Sequence, residues 1–261
     1  MHMDVATFEL GEVKVASLAD EQLRAILQNE LTHGSGCKSI VPFNLDLLRI
    51  STKDKEFLRI CQNSYLVVPD GFGITSLLRM KHGVRIHRIT GNDVVRMLIE
   101  DFVSIPLRIA VVGSTQQTLA RFLDRVSSLS KHVNLVFLAS PPMNFEINPA
   151  NDAKVVNEAR AAKPDVLFVA LGCPRQELWI QKHAASIGAR INIGVGAAID
   201  YYAGTSTRSP LWLQRIGLEW LWRLLFEPRR LSKRYLLLDL PFYVNEICLI
   251  TFSKVSKYFN K

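Results

Sequence analysis

In KPDVLFVALGCPRQELWI, residues 163–180, an apolar run of strand length, Val166–Leu171, gives way to Gly172-Cys173-Pro174 and then to a helix-like segment over Arg175–Ala185. Pro174 suits the first turn of a helix, where its missing N–H costs nothing. The same grammar recurs along the chain. Further strands are predicted over Ser39–Val41, Tyr65–Val68, Leu107–Val112, Val133–Leu138 and Ile191–Val195. Helices are predicted over Asp20–Asn29, Leu45–Gln62, Ile74–Lys81, Asn92–Phe102, Thr115–Leu129 and Asn151–Ala162. Alternation with short connections argues for βαβ units, hence an α/β fold with a largely parallel sheet covered by helices on both faces.

At 261 residues, nearly half of them hydrophobic, the chain can build a sizeable core. Its formal charge of +8 suggests an anionic partner. Cys37, Cys61, Cys173 and Cys248 are scattered without C-x-x-C spacing, the pattern of reduced thiols in a cytosolic protein. The N-terminal stretch lacks the basic start and long apolar core of a signal peptide.

Composition changes near Ser209, which divides the chain into an α/β domain over 1–208 and an appendage over 209–261. The appendage holds nine Lys or Arg against four acids, +5 of the total charge, and three of the four tryptophans. Basic residues interleaved with Trp, Leu and Phe describe an interfacial amphipathic helix, although a helical pair packed on the core has the same composition. The apolar stretch Tyr235–Phe252 is interrupted by Asp239, Pro241, Asn245 and Glu246, so it is read as not crossing a bilayer, with lying on one left open.

In open parallel sheets, ligands collect beyond the carboxyl ends of the strands. The polar strand-end segments here are Val41-Pro42-Phe43-Asn44, Pro69-Asp70-Gly71-Phe72-Gly73, Gly172–Glu177 and Gly194–Asp200, with the helix opening Thr90-Gly91-Asn92-Asp93 beside them. Asp70 reads in two ways: as an N-cap of the following helix, or as a carboxylate held to take a proton. Val111–Thr115 resembles a nucleotide-binding turn but lacks a full G-x-G-x-x-G. Cys173 has no evident partner His, and reads as a small buried thiol. No D-x-D follows an apolar strand, so no metal site is expected; a leaving diphosphate would be neutralised by basic side chains and helix dipoles.

Taken together, PDGFG at 69–73, RITGND at 88–93, residues 163–180, GVGAAIDYYAGTSTRSP at 194–210 and GLEWLWRLLFEPRRLSKRY at 217–235 resemble the WecG/TagA/CpsF family of bacterial glycosyltransferases. The resemblance runs from about Val41 to Tyr235. It implies a Rossmann-like fold and an inverting transfer from a UDP-sugar to a polyprenyl-diphosphate-linked saccharide, without a metal or other cofactor. It implies a peripheral position on the cytoplasmic face of the inner membrane, docked through the appendage, and no nucleic-acid partner; homo-oligomer formation stays open. Asp70 takes the place of the family's general base, and Asn44 and Gln176 fall in its catalytic motifs. Pro42, Gly71, Thr90, Asn92, Asp93, Gly172 and Gly196 fall in the substrate-binding motifs. Asp200 matches a uridine-contacting position, and Arg223, Arg230 and Lys233 match basic positions of the appendage that serve the diphosphate and acceptor.

The chain departs from the pattern at Pro42, which stands where the family carries the threonine of T-x-N. Losing a hydroxyl near a donor sugar changes discrimination, so the donor is expected to be a UDP-hexose such as UDP-glucose, or UDP-N-acetylmannosamine or its uronic acid. Ser140–Phe145 departs from the family's loop as well. A nucleotide-binding membrane-surface subunit without transfer activity is the competing reading. A nicotinamide-dependent oxidoreductase is weakened by the incomplete glycine fingerprint.

Overall fold

The computed structural model describes residues 5–259. Six strands, β3 (Lys38–Phe43), β4 (Leu66–Pro69), β5 (Leu107–Gly113), β6 (Val133–Ala139), β7 (Val166–Ala170) and β8 (Ile191–Gly194), form one sheet in the order β4-β3-β8-β7-β5-β6. Every pairing in it is parallel. All six predicted strands are present, and the Rossmann-like α/β architecture with them.

A short antiparallel hairpin, β1 (Thr7–Leu10) and β2 (Val13–Ala16), precedes the sheet and has no counterpart among the predicted strands. Its two-residue loop, Gly11-Glu12, places Gly11 at φ +60°, the left-handed conformation that tight hairpin turns demand.

Among the described residues, nine helices accompany the strands up to residue 203: α1 (Asp20–His33), α2 (Leu45–Ser51), α3 (Lys55–Asn63), α4 (Phe72–His82), α5 (Gly91–Glu100), α6 (Gln116–Leu129), α7 (Pro149–Ala161), α8 (Arg175–Ile187) and α9 (Ala198–Ala203). Successive strand side chains point to opposite faces. Thus Ile40, Val68, Ile109, Val111, Val166 and Phe168 pack under α1, α5, α6 and α9. Their neighbours Val41 and Val67 pack with α2, α3 and α4, and Ala110, Val112, Leu167 and Val169 with α7 and α8. Near-continuous apolar runs are what strands covered on both faces require.

One predicted helix is corrected. Leu45–Gln62 is two helices, because Asp54 adopts an extended backbone and its carboxylate accepts from Glu56 N (2.9 Å) and Phe57 N (3.1 Å), starting α3 afresh. A carboxylate that caps two free N–H groups outweighs continuation through Thr52 and Lys53.

The C-terminal segment continues as α10 (Leu211–Arg215), α11 (Glu219–Phe226), α12 (Pro228–Ser232), a π-type turn over Lys233–Asp239, and α13 (Leu240–Phe259). Pro228–Ser256 forms one helix of 29 residues, long and apolar enough by length and composition to cross a membrane. Asp239 and Pro241 do not interrupt it; the widened π turn ends just before Pro241, which has no N–H to give to the preceding turn. One side is not free. Phe242, Tyr243, Ile247 and Ile250 pack on the core cluster of α2, α3 and α4, and Tyr243 shares a 2.7 Å hydroxyl hydrogen bond with Ser76 of α4. The other side exposes Leu236, Leu237, Leu240, Val244, Leu249 and Phe252.

Candidate active site

Because the sheet is parallel, the carboxyl ends of all six strands lie along one edge, and the candidate residues follow those ends. Asp70 ends β4. Its N–H donates to Phe43 O (2.9 Å), which ties it to the end of β3, and Ile89 N donates to Pro69 O (3.0 Å), which brings the Arg88–Asp93 loop alongside. The competing reading of Asp70 as a cap fails. The N-cap of α4 is Gly71, at φ +91°, and no side chain caps that helix. Asn44 does cap: its Oδ1 accepts from Leu47 N at 3.1 Å, starting α2.

Asp70, Asn44 and Gly71 line a cleft of about 320 Å³ between the strand ends and the C-terminal helices. Arg88 and Phe72 form its core side; Glu219, Arg223, Arg234 and Tyr235 come from the appendage. Burial, first, and the nearby Glu219 push the Asp70 carboxyl up to about 7, against the opposing pull of Arg88 and Arg223. A half-buried carboxylate poised near neutrality is suited to accept a proton. Burial disfavours the Arg223 charge, but Tyr235, Tyr201, Asp70 and Glu219 around it outweigh that and hold its pKa above the usual value. Its Nε is buried without a hydrogen-bond partner among the described residues, a donor that an anionic ligand would satisfy.

Two ionic networks fix this wall. Arg88 donates to Glu219 (2.9 Å) and Gln214 (3.2 Å), while Arg208 faces Glu219 (3.7 Å) and Asp93 (3.5 Å). Thr90 and Asp93 close a capping box at the start of α5, with Thr90 N donating to Asp93 Oδ2 (2.9 Å) and Asp93 N to Thr90 Oγ1 (3.2 Å). Both therefore organise α5 and hold Arg208; Asn92 lies in the same first turn, half-buried. In the second network Arg234 bridges Asp46 of α2 (3.0 Å) and Asp239 (3.2 Å), and Arg49 pairs with the same two acids. Cys173 is drawn in through a 3.5 Å contact of its Sγ with Asp46; it is half-buried and not fully buried as expected, and desolvation with the nearby Glu177 and Asp46 pushes its thiol pKa far up, which does not suit a nucleophile.

Farther along the edge, Gln176 joins two strand-end loops: its Oε1 accepts from Gly196 N (3.1 Å) and its Nε2 donates to Glu177 (2.7 Å). Gly172 and Gly196 both take positive φ. Asp200 accepts from Ser114 (3.0 Å) and Thr118 (3.2 Å), which ties α9 to the β5–α6 turn of the weak nucleotide-type motif. Gly113 at that turn cannot be larger, since a Cβ would fall 2.4 Å from Ala170 O. Pro42 is buried inside β3 beside Val68 and does not line the cleft. Arg230 and Lys233 are exposed outside it, Arg230 paired with Glu227.

Sequence reasoning passes over Arg88, Glu219, Arg234 and Tyr235 as site residues. Arg88 stands in the quoted RITGND motif, and the other three in the basic tail, so the motifs contain them; only the fold shows which of their side chains reach the Asp70 cleft. Among the described residues no group of three or more His, Cys, Asp or Glu could hold a metal ion.

A parallel α/β sheet with a poised carboxylate and arginines gathered at its strand ends is the arrangement of an enzyme that transfers groups between anionic substrates. The chain belongs to the WecG/TagA/CpsF family of glycosyl transferases, whose family model matches residues 8–255. It is 27% identical over 201 residues to an N-acetylglucosaminyldiphosphoundecaprenol N-acetyl-beta-D-mannosaminyltransferase of Bacillus subtilis, covering 77% of this chain and 75% of that one. To proteins of the same name it is 24% identical in Bacillus spizizenii (80% and 77% covered) and 22% identical in Staphylococcus aureus (87% and 85% covered).

Proposed function

We propose that this glycosyltransferase moves a sugar from a UDP-sugar to a polyprenyl-diphosphate-linked saccharide, with inversion and without a metal. The observation that carries the reading is the uncapped Asp70 carboxylate in a cleft shared with Arg88 and Arg223. An acceptor hydroxyl gives its proton to Asp70 while its oxygen bonds to the sugar C1. The bond from C1 to the diphosphate breaks on the opposite side, and UDP leaves with the electron pair. Arg88, Arg223 and Arg234 supply the positive charge that a metal would otherwise bring to diphosphate groups.

The donor nucleotide is assigned to the Gly196–Asp200 end of the edge, beside Ser114. The names of the relatives favour an N-acetylmannosaminyl donor, and the burial of Pro42 away from the cleft weakens the case for a plain hexose. The exposed apolar side of α13, together with the exposed Trp212, Leu225 and Phe226, supports peripheral membrane docking, which this reading puts on the cytoplasmic face.

The test is UDP release from a panel of UDP-sugars, including UDP-N-acetylmannosamine and UDP-glucose, against polyprenyl-diphosphate N-acetylglucosamine. Acceptor-dependent release from UDP-N-acetylmannosamine is expected. Nucleotide binding without release from any donor would support the inactive-subunit reading instead.

A further inference from the structure

Gly217 lies between α10 and α11, buried, at φ +79°. A Cβ built there would fall 2.4 Å from Phe72 Cγ, 2.6 Å from Cδ2 and 2.9 Å from Cβ. The Phe72 ring therefore occupies the space that any other residue at 217 would need. Phe72 is the first residue of α4, two positions after Asp70, and remains 49% exposed although it packs there. Two residues beyond Gly217, Glu219 receives the Arg88 guanidinium at 2.9 Å. The α10–α11 turn is thus held to the core sterically at Gly217 and ionically through Arg88 and Arg208, in the wall of the cleft that holds Asp70.

We propose that Phe72 and Gly217 form a size-matched key that seats the α10–α11 turn over the active site, so that Phe72 is a positioning residue for Glu219 and Arg223. The inference rests on the proposed transferase reading for its kinetic readout. Its structural readout is independent of turnover. Ion pairs alone let the turn shift with the long Arg88 and Arg208 side chains, whereas an aromatic ring closed against a glycine fixes the approach distance.

The experiment compares Gly217→Ala, Phe72→Ala and the double variant in the full chain. UDP release with UDP-N-acetylmannosamine and the lipid-linked acceptor is measured against pH, and hydrogen exchange is followed over residues 211–226. Gly217→Ala is expected to lower kcat/KM by about tenfold or more, since small displacements of positioned groups are costly. It should also move the acidic limb of the profile down, because Glu219 is displaced; Asp70 responds to burial, Glu219 and Asp93, which raise its pKa, and to Arg88 and Arg223, which lower it. Phe72→Ala in the same chain vacates the space, so the double variant should be little worse than Phe72→Ala alone in rate, limb and exchange protection. The backbone strain at positive φ is common to both chains that carry Gly217→Ala and is not restored.

A double variant as slow as the product of the two single effects would overturn the key. So would a Gly217→Ala chain with unchanged rate and exchange. If Gly217→Ala does not fold, Phe72→Ala alone decides: a shifted pH limb supports the key, and an unchanged limb overturns it. If the unmodified chain releases no UDP, the transferase reading fails, and the exchange of residues 211–226 still decides the key by the same rescue comparison.

Discussion

Asp70 shows how far one residue can be read from its neighbours in sequence. A carboxylate between an apolar run and a helix is usually a cap, and only the backbone at Gly71 removes that duty here. The groups that set its acidity, Arg88, Glu219 and Arg223, come from a later loop and from the appendage, where no local pattern marks them as its neighbours. Asp70 must be ionised to act as a base, so kcat/KM should rise with pH through an acidic limb near 7. Glu219→Gln should move that limb to lower pH, because it removes a negative charge that opposes ionisation; an unmoved limb would dissociate Glu219 from Asp70. The raised value also has a cost. Folding favours the protonated carboxyl, so the penalty is absent below about pH 4, grows as pH rises towards 7, and is complete above that. Asp70→Asn should therefore raise Tm at pH 8 and leave it nearly unchanged at pH 4. Equal shifts at both pH values would contradict the burial argument.

Among the elements, those specified by long apolar runs were legible and those set by caps were less so. The six sheet strands read clearly because each is apolar on both faces. The hairpin β1–β2 did not, being only four residues a side with its signal in the Gly11 turn. The break between α2 and α3 depends on one capping carboxylate, Asp54, inside a stretch whose apolar spacing reads as a single helix. Asp54→Ala should lower unfolding free energy by about 1 kcal/mol, measured by urea titration, with kcat unchanged. The tail was legible as basic and Trp-rich, but composition could not show that α13 buries one side on α4 and offers the other outward. Leu237 and Phe252, 68% and 75% exposed, lie on the free side. Leu237→Glu combined with Phe252→Glu should reduce co-sedimentation with anionic phospholipid vesicles at least severalfold while Tm holds. Undiminished binding would remove α13 as the docking element.

For the molecule as a whole, the division at Ser209 is one of composition more than of structure. Tyr235 and Leu231 are buried, Arg234 is shared between Asp46 and Asp239, and Phe242 to Ile250 complete a core cluster begun by β1, β2 and α4. The appendage thus supplies more than half the wall of the Asp70 cleft and covers apolar surface of the α/β unit. Strand ends, a carboxylate, arginines and a free apolar helix face are brought to one region, as the proposed transfer from a soluble sugar nucleotide to a membrane-held acceptor requires. The most direct test compares UDP release by the unmodified chain and by Asp70→Asn, with UDP-N-acetylmannosamine and polyprenyl-diphosphate N-acetylglucosamine as substrates and UDP affinity measured in parallel. Acceptor-dependent release should fall by about 10²–10⁴-fold with UDP affinity unchanged. Release by Asp70→Asn at the unmodified rate would show that another group takes the proton.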